Sequence, residues 1–111
     1  MSDNYEVKIT RQAQEQIKEI AHYISHELLA PEAANHLLDN FETAIYSLAE
    51  MPGRMALVNE EPWRSEDVRK TMVKNYIVYF WIDEEHKKVQ VTAVIYKKRD
   101  QIQQFLKMDF N

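Results

Sequence analysis

The sequence contains no cysteine, a single glycine and only three prolines in 111 residues. The lack of cysteine excludes disulfides and thiolate metal sites and is typical of a reducing compartment. The lone glycine excludes a phosphate-binding glycine-rich loop. The longest apolar run, residues 76–82, has seven residues, which is too short to span a membrane, and no signal-peptide pattern opens the chain. We predict one soluble, cytoplasmic domain over residues 1–111, without membrane association.

Positive charge is scarce in the first half of the chain and concentrated in the second. Residues 1–63 hold four Lys/Arg against eleven Asp/Glu, whereas residues 64–107 hold ten against six. Local potential, rather than net charge, decides where a polyanion binds. The asymmetry fits a basic functional face backed by an acidic surface, and it equally fits ordinary solvated charge.

The second half also carries the strongest strand signals. β-Branched and aromatic residues dominate three runs between residues 68 and 96, and a Lys74-Asn75 corner and a charged corner separate the runs. This pattern predicts a three-stranded antiparallel meander. One alternating set in the last strand is expected to face the helices. The set is Val89, Val91, Ala93 and Ile95.

A strand and two helices are predicted before the meander. Residues 5–9 alternate apolar and polar side chains, as in a strand with one buried face, and Thr10 can cap the helix that follows. Apolar residues then recur at spacings of three and four over residues 13–28, and again over residues 33–48 after Pro31. The short connection between these runs predicts an antiparallel helical hairpin.

Two further segments are less regular. Residues 55–58 fit a short edge strand, and Trp63 in the loop after them is either an anchor for a partner or a plug for the core. Ile102, Phe105 and Leu106 have the spacing of a brief C-terminal helix that packs back on the domain. The predicted fold class is α+β, with an N-terminal strand, an antiparallel helical hairpin, and a three- to four-stranded, mostly antiparallel sheet followed by a short C-terminal helix.

Cations of the second half flank the predicted strands. A meander can bring both ends of its first strand and the exit of its last strand to one rim, which would then hold Arg69, Lys70, Lys74, Lys97, Lys98 and Arg99. Such a rim could hold phosphates, and RNA cleavage would further need a base, an acid and positive charge at the phosphorane. Tyr76 and Tyr96 could stack on bases or move protons. Alternatively, the charged strand ends only keep the sheet soluble.

Histidine offers a weaker candidate site. Glu19, His22 and His26 share one helical face at the spacing of metal ligands, but nothing else in the chain points there. The remaining histidines and serines lack a base or nucleophile partner. We therefore predict no metal and no other cofactor.

Seven short motifs follow one another along nearly the whole chain. They are Tyr5-Glu-Val-Lys-Ile-Thr10, His22-Tyr23-Ile24, Pro31-Glu-Ala-Ala34, Leu48-Ala-Glu-Met-Pro52, Val68-Arg69, Asn75-Tyr76-Ile-Val-Tyr79 and Val94-Ile-Tyr-Lys-Lys-Arg-Asp100. In this order and spacing the sequence resembles the RelE/ParE superfamily of type II toxin-antitoxin toxins. The resemblance implies a small bacterial toxin that arrests growth, contributes to plasmid stabilisation, and is neutralised by an antitoxin packed along its helices and sheet. It also implies that the pair represses its own operon and that the toxin reaches operator DNA only through the antitoxin.

The resemblance implies one of two activities. RelE-like members cleave mRNA in the ribosomal A site without metal, using Lys, Arg and often Tyr on the concave sheet face. ParE-like members inhibit DNA gyrase and are not nucleases. By this resemblance, Arg69 and either Lys98 or Arg99 match basic catalytic positions. The expected nucleic-acid or target-binding residues are Lys70, Lys74, Tyr76, Tyr96 and Lys97.

The sequence also departs from the RelE pattern. The arginine that RelE enzymes place after the tyrosine of the central strand is Ile77 here, and the second lysine of the preceding strand is Thr71. The C-terminal tyrosine of that pattern falls near Phe105. Three hypotheses follow: a gyrase inhibitor, a ribosome-dependent endoribonuclease, and an inert binding module that acts only with its antitoxin in operon autoregulation.

Overall fold

The structure is a computed structural model that describes residues 4–97. The C-terminal helix predicted after residue 100 and the cations Lys98 and Arg99 lie outside the described residues. The fold is α+β, as predicted. Its main elements are β1 (Glu6–Ile9), α1 (Arg11–His22), α2 (Pro31–Tyr46), β2 (Arg69–Val73), β3 (Tyr76–Asp83) and β4 (Lys88–Tyr96).

The strands form one four-stranded sheet in the order β1-β4-β3-β2. The predicted meander is confirmed, because β2 pairs antiparallel with β3 and β3 pairs antiparallel with β4. β1 adds to the other side of β4 in the parallel direction, with Glu6 opposite Lys88. The helical hairpin of α1 and α2 occupies one face of this sheet. No helix within residues 4–97 has both the length and the apolarity needed to cross a membrane.

α1 begins where the sequence predicts. Thr10 is its N-cap, and the Thr10 hydroxyl oxygen accepts a hydrogen bond from the Ala13 N–H at 3.2 Å. This bond satisfies one of the amides that a helix start leaves unpaired. α2 begins at Pro31, whose missing amide costs nothing in a first turn. The buried side chains of α2 fall at helical spacing and are Ala34, Leu37, Phe41 and Ile45.

The end of the first helix differs from the prediction. After His22 the backbone widens into a π-helical turn, Tyr23–Glu27, in which the Leu28 N–H donates to the Tyr23 carbonyl at 3.1 Å. One extra residue per turn rotates the chain out of the helical phase. Leu28, expected on the buried stripe, is therefore 56% exposed.

The sheet is buried on both faces. On the helix side, Phe41 and Ile45 pack against Val78, Phe80 and Val89. On the opposite side lies a second group, called here the Trp63 cluster. It consists of Val58, Trp63, Val68, Ile77, Tyr79, Ala93 and Ile95. Trp63 is 8% exposed, so it plugs a core.

A bulge in β4 changes which side chains face the helices. The pairing with β3 steps from Tyr79 opposite Ala93 to Phe80 opposite Val91, which leaves Thr92 as an extra residue. An extra residue reverses the alternation beyond it. Val89 and Val91 face the helices as predicted, but Ala93 and Ile95 belong to the Trp63 cluster, and Val94 takes the helix side. The prediction of one continuous alternation is therefore wrong after Val91.

Candidate functional site

Among residues 4–97, the cations predicted to share one rim lie towards opposite ends of β2. Lys74 is in the β2–β3 turn and Lys97 directly follows β4, and the Lys97 N–H donates to the Asn75 carbonyl at 2.9 Å. Arg69 and Lys70 begin β2 at its far end, opposite the middle of β3. A five-residue strand spans roughly 16 Å, so the prediction of a single rim is wrong. The structure brings Lys74 and Lys97 together, and the functional roles of all these residues remain predictions.

Tyr76 and Tyr96 also lie at the end where Lys74 and Lys97 meet. They are cross-strand partners, and their ring centroids are 5.4 Å apart with an interplanar angle of 55°. The edge of Tyr76 further contacts Phe41 on α2, at a centroid distance of 5.6 Å. Both rings are half-buried on the helix side of the sheet. Aromatic contacts of this kind fix a ring in place and add to the packing of the site.

A groove of about 1380 Å³ opens between the second half of α1 and the end of β4. Its floor is apolar and its border carries charges of both signs, including Lys18 and Glu19. The floor residues are Ile20, Ile24, Tyr76, Val94 and Tyr96. An apolar centre with a polar rim is typical of a protein-binding surface, whereas an RNA-binding cleft is dominated by positive charge.

Arg69 is held by backbone carbonyls. Its Nη1 donates to the Met55 carbonyl at 2.6 Å and to the Gly53 carbonyl at 3.3 Å. Arg69 lies directly opposite Phe80 in the sheet, and Phe80 belongs to the core on the helix side. The Arg69 side chain therefore projects from the helix-side face of the sheet. The guanidinium therefore anchors the loop that follows α2.

The opposite sheet face has a tyrosine at its centre. Tyr79 is fully buried in the Trp63 cluster, and burial, followed by the nearby Glu60 carboxylate, raises the pKa of its phenol. A phenol with a raised pKa holds its proton more tightly and is a poor general acid or base near neutrality. Lys70 is the cross-strand partner of Tyr79 and is half-buried beside it.

The histidine site considered from the sequence is not assembled. His22 and His26 stack on each other with ring centroids 4.2 Å apart. In the part of the chain that the structure describes, the one group with closely placed ligand atoms is Asp83, Glu85 and His86 in the β3–β4 turn. There the His86 side chain hydrogen-bonds the Asp83 carboxylate at 2.9 Å and lowers the pKa of Asp83. An exposed acidic turn of this kind is common without an ion, so we assign no metal to it.

Two side-chain hydrogen bonds from α1 to β4 are absent from the prediction made from the sequence. The Gln16 side-chain oxygen accepts a hydrogen bond from the Val94 N–H at 2.8 Å, which covers the β4 edge beyond the end of β1. Gln12 donates to the Thr92 carbonyl at 3.2 Å in the same region. Both glutamines lie on the sheet-facing side of α1 among apolar residues. A polar residue on an otherwise apolar helix face was the available clue.

The fold is that of a RelE/ParE-type toxin, with a helical hairpin on one face of a meander that a parallel N-terminal strand completes. The family model described as the ParE toxin of the type II toxin-antitoxin system, parDE, matches residues 7–101. The chain belongs to this ParE toxin family and is the toxin of a type II toxin-antitoxin system.

Two solved structures share this fold. One is described as the chromosomal ParDE toxin-antitoxin system from P. aeruginosa, with 21% identity, a TM-score of 0.67, and coverage of 86% of this chain and 98% of that chain. The other is described as the toxin-antitoxin complex RelBE2 from Mycobacterium tuberculosis, with 20% identity, a TM-score of 0.58, and coverage of 84% and 98%. No curated protein matches the sequence significantly.

Proposed function

We propose that this toxin arrests growth by inhibiting DNA gyrase and that a cognate antitoxin neutralises it. The observation that carries the proposal is the filled sheet face opposite the helices. Trp63 belongs to the cluster that fills this face, and Tyr79 in the same cluster is fully buried. A buried phenol at the centre of the face cannot stack on a base or give a proton to a leaving group.

The arrangement of the basic residues supports the same proposal. Arg69 and Lys70 are neighbours in a strand, so their side chains leave the sheet on opposite faces. A metal-independent nuclease needs its base, its acid and its positive charge within hydrogen-bond reach of one phosphate. Thr71 and Ile77 occupy two positions where RelE enzymes carry cations. The described residues therefore favour a toxin that acts by binding.

The groove between α1 and β4 supports an antitoxin partner. The two related structures are toxin-antitoxin systems, and an amphipathic segment of an antitoxin fits an apolar floor with a charged border. We infer that the pair represses its own operon, with operator DNA contacted by the antitoxin, and that the toxin acts in the cytoplasm. Lys74 and Lys97 lie at the same end of the sheet as this groove. We assign them to the target together with the Tyr76–Tyr96 pair on the groove floor, so the antitoxin covers part of the target surface.

A supercoiling assay with purified gyrase tests the proposal. The toxin should block supercoiling of relaxed plasmid, and a molar equivalent of antitoxin should restore it. The same preparation should leave a defined mRNA intact in a purified translation system, beside a known ribosome-dependent nuclease as a positive control. New 3′ ends that appear only with ribosomes would contradict the proposal and assign the RelE-type activity. Normal growth on expression without antitoxin would instead favour an inert binding module.

A further inference from the structure

Exposed apolar side chains gather in the connection between the two helices, residues 23–29, called here the hairpin tip. Among residues 4–97, six large apolar side chains are exposed, and three of them lie in this connection. They are Tyr23 at 55%, Leu28 at 56% and Leu29 at 82%. Apolar side chains exposed singly are ordinary, whereas a contiguous group of them marks a binding surface.

The backbone at Leu29 is unfavourable for the residue it carries. The Ala30 N–H donates to the Ile24 carbonyl at 3.0 Å, and a helix end closed in this way has a left-handed residue just before the donor. Leu29 occupies that position, with φ of 52°. Glycine is the usual residue there, because a Cβ atom is strained in this conformation. A leucine that is both strained and exposed gives the fold no stability, and such outliers cluster at functional sites.

The hairpin tip holds its apolar side chains on a fixed backbone. The Leu28 N–H donates to the Tyr23 carbonyl at 3.1 Å and completes the π-helical turn. His22, just before this turn, stacks on His26 within it, with ring centroids 4.2 Å apart. A surface that is fixed before binding loses less conformational entropy when a partner covers it. The tip is therefore preorganised for contact.

The hairpin tip lies next to the surface assigned to the target. Ile24 in the π-helical turn and Lys74 in the β2–β3 turn line the same hollow, which has a volume of about 630 Å³. Tyr23 and Leu28 also line the α1–β4 groove, whereas Leu29 is not among the described residues that line it. The tip thus extends the target surface beyond the groove that we assign to the antitoxin.

We propose that the hairpin tip is the apolar anchor with which the toxin binds its protein target. Leu29 enters an apolar pocket of the target, Leu28 packs at the mouth of that pocket, and Lys74 pairs with an acidic group beside it. An apolar centre with a charged border is the usual composition of a protein interface. The inference rests on the proposed function, because it takes the target to be gyrase. An antitoxin in the groove would cover Tyr23 and Leu28 and so block this contact.

Other occupants fit the hairpin tip less well. RNA bases stack on aromatic rings and guanidinium groups, and two of the three apolar side chains here are leucines. Glu27 and Glu32 are exposed on either side of Leu29, so an anionic lipid surface would be repelled. Three side chains from each of two copies would bury far less than the roughly 1,200 Å² of a stable dimer.

The substitution Leu29→Gly tests the anchor. It removes the side chain and relieves the strained backbone, so the variant keeps the fold. Met51→Gly is the matched control, because Met51 has φ of 48° and is 71% exposed but lies beyond the opposite end of α2. We expect Leu29→Gly to weaken inhibition of gyrase supercoiling about tenfold or more, and Met51→Gly to change it less than about threefold. Inhibition by Leu29→Gly equal to that by wild type would overturn the inference.

Two further substitutions at the same position separate the side chain from the backbone. Leu29→Asn suits the left-handed conformation but brings a polar amide to the apolar pocket, so it should lose inhibition as Leu29→Gly does. Leu29→Met keeps an apolar side chain and the strained backbone, so it should inhibit within about threefold of wild type. Circular dichroism checks the fold of each variant. Equal inhibition by the asparagine and methionine variants would overturn the inference.

Failure of the inference and failure of the proposed function give different results. If wild type leaves purified gyrase active, the proposed function fails and the inference falls with it. If wild type and Leu29→Gly inhibit gyrase equally, only the inference fails. Antitoxin affinity is measured for the same proteins, and we expect Leu29→Gly to stay within about threefold of wild type. A loss of antitoxin affinity as large as the loss of inhibition would assign the tip to the antitoxin and overturn the inference.

Discussion

The two faces of the sheet bury aromatic side chains of similar size, but different kinds of structure cover them. On one side a regular helical hairpin places Phe41 against Val78 and Phe80. On the other side an irregular loop places Trp63 in the buried cluster that contains Tyr79. A loop can therefore close a sheet face as completely as a helix, and this closure decides what chemistry the face can support.

The largest expected effect comes from emptying the loop-covered face. Trp63→Ala should destabilise the protein by about 3 to 5 kcal/mol, because it removes a large buried side chain and leaves a cavity. Phe41→Ala on the helix face is the matched comparison and should cost a similar amount. Urea unfolding measures both. A cost below about 1 kcal/mol for Trp63→Ala alone would show that the loop is not part of a core.

The next largest loss of stability is expected at Arg69, whose guanidinium anchors the loop after α2. Arg69→Ala should destabilise the protein by about 1 to 2 kcal/mol, because it leaves the Met55 and Gly53 carbonyls without their guanidinium donor. Lys70→Ala, its neighbour on the other face, should cost less than about 0.5 kcal/mol. Thermal unfolding of the two variants gives the difference. Equal costs would contradict the assigned role of Arg69.

A smaller effect of opposite sign is expected at the tip of the helical hairpin. Leu29 has φ of 52° and is 82% exposed, so its side chain gains little from burial and its backbone is strained. Leu29→Gly should stabilise the protein by about 0.5 to 1 kcal/mol. Leu28→Gly, at φ of −94°, should instead destabilise it. A lower melting temperature for Leu29→Gly would contradict this account.

The smallest effect concerns the exposed β3–β4 turn. The His86 side-chain hydrogen bond holds the pKa of Asp83 below its ordinary value of 3.8, so this bond stabilises the fold above that value. The contribution is lost as the pH falls through the lowered pKa. The melting temperature of wild type should therefore fall more steeply than that of Asp83→Asn on acidification below about pH 4. If the melting temperatures of the two proteins fell equally steeply below about pH 4, the result would argue against the contact between His86 and Asp83.

Hydrophobic periodicity predicts which side chains of the regular helices and strands are buried. The period of α2 predicted its buried face, and the β-branched and aromatic runs predicted the meander, because regular elements repeat their burial at a fixed spacing. The π-helical turn after His22 and the bulge at Thr92 each add one residue without a glycine or proline to mark it. Each insertion shifted the pattern beyond it, so Leu28 and Ala93 were assigned to the wrong side.

The candidate site was less predictable than the fold. The register and the strand lengths of a meander decide which of its turns lie close together, and the sequence does not give them. β2 is long enough to separate Arg69 from Lys74. The role of Trp63 depends on its tertiary placement in the buried cluster that contains Tyr79, for which an irregular loop carries no periodic signal. Family resemblance supplies the toxin class, and the distribution of side chains over the two sheet faces supports our proposal that the toxin acts by binding and not by cleaving RNA.

The central claim is that this toxin acts by binding gyrase and not by cleaving RNA. The most direct measurement follows both outcomes in one culture, by inducing the toxin without antitoxin and recording reporter-plasmid supercoiling and mRNA 3′ ends over the same interval. We predict loss of negative supercoiling while the 3′ ends stay unchanged. New 3′ ends within coding regions, with supercoiling intact, would contradict the claim.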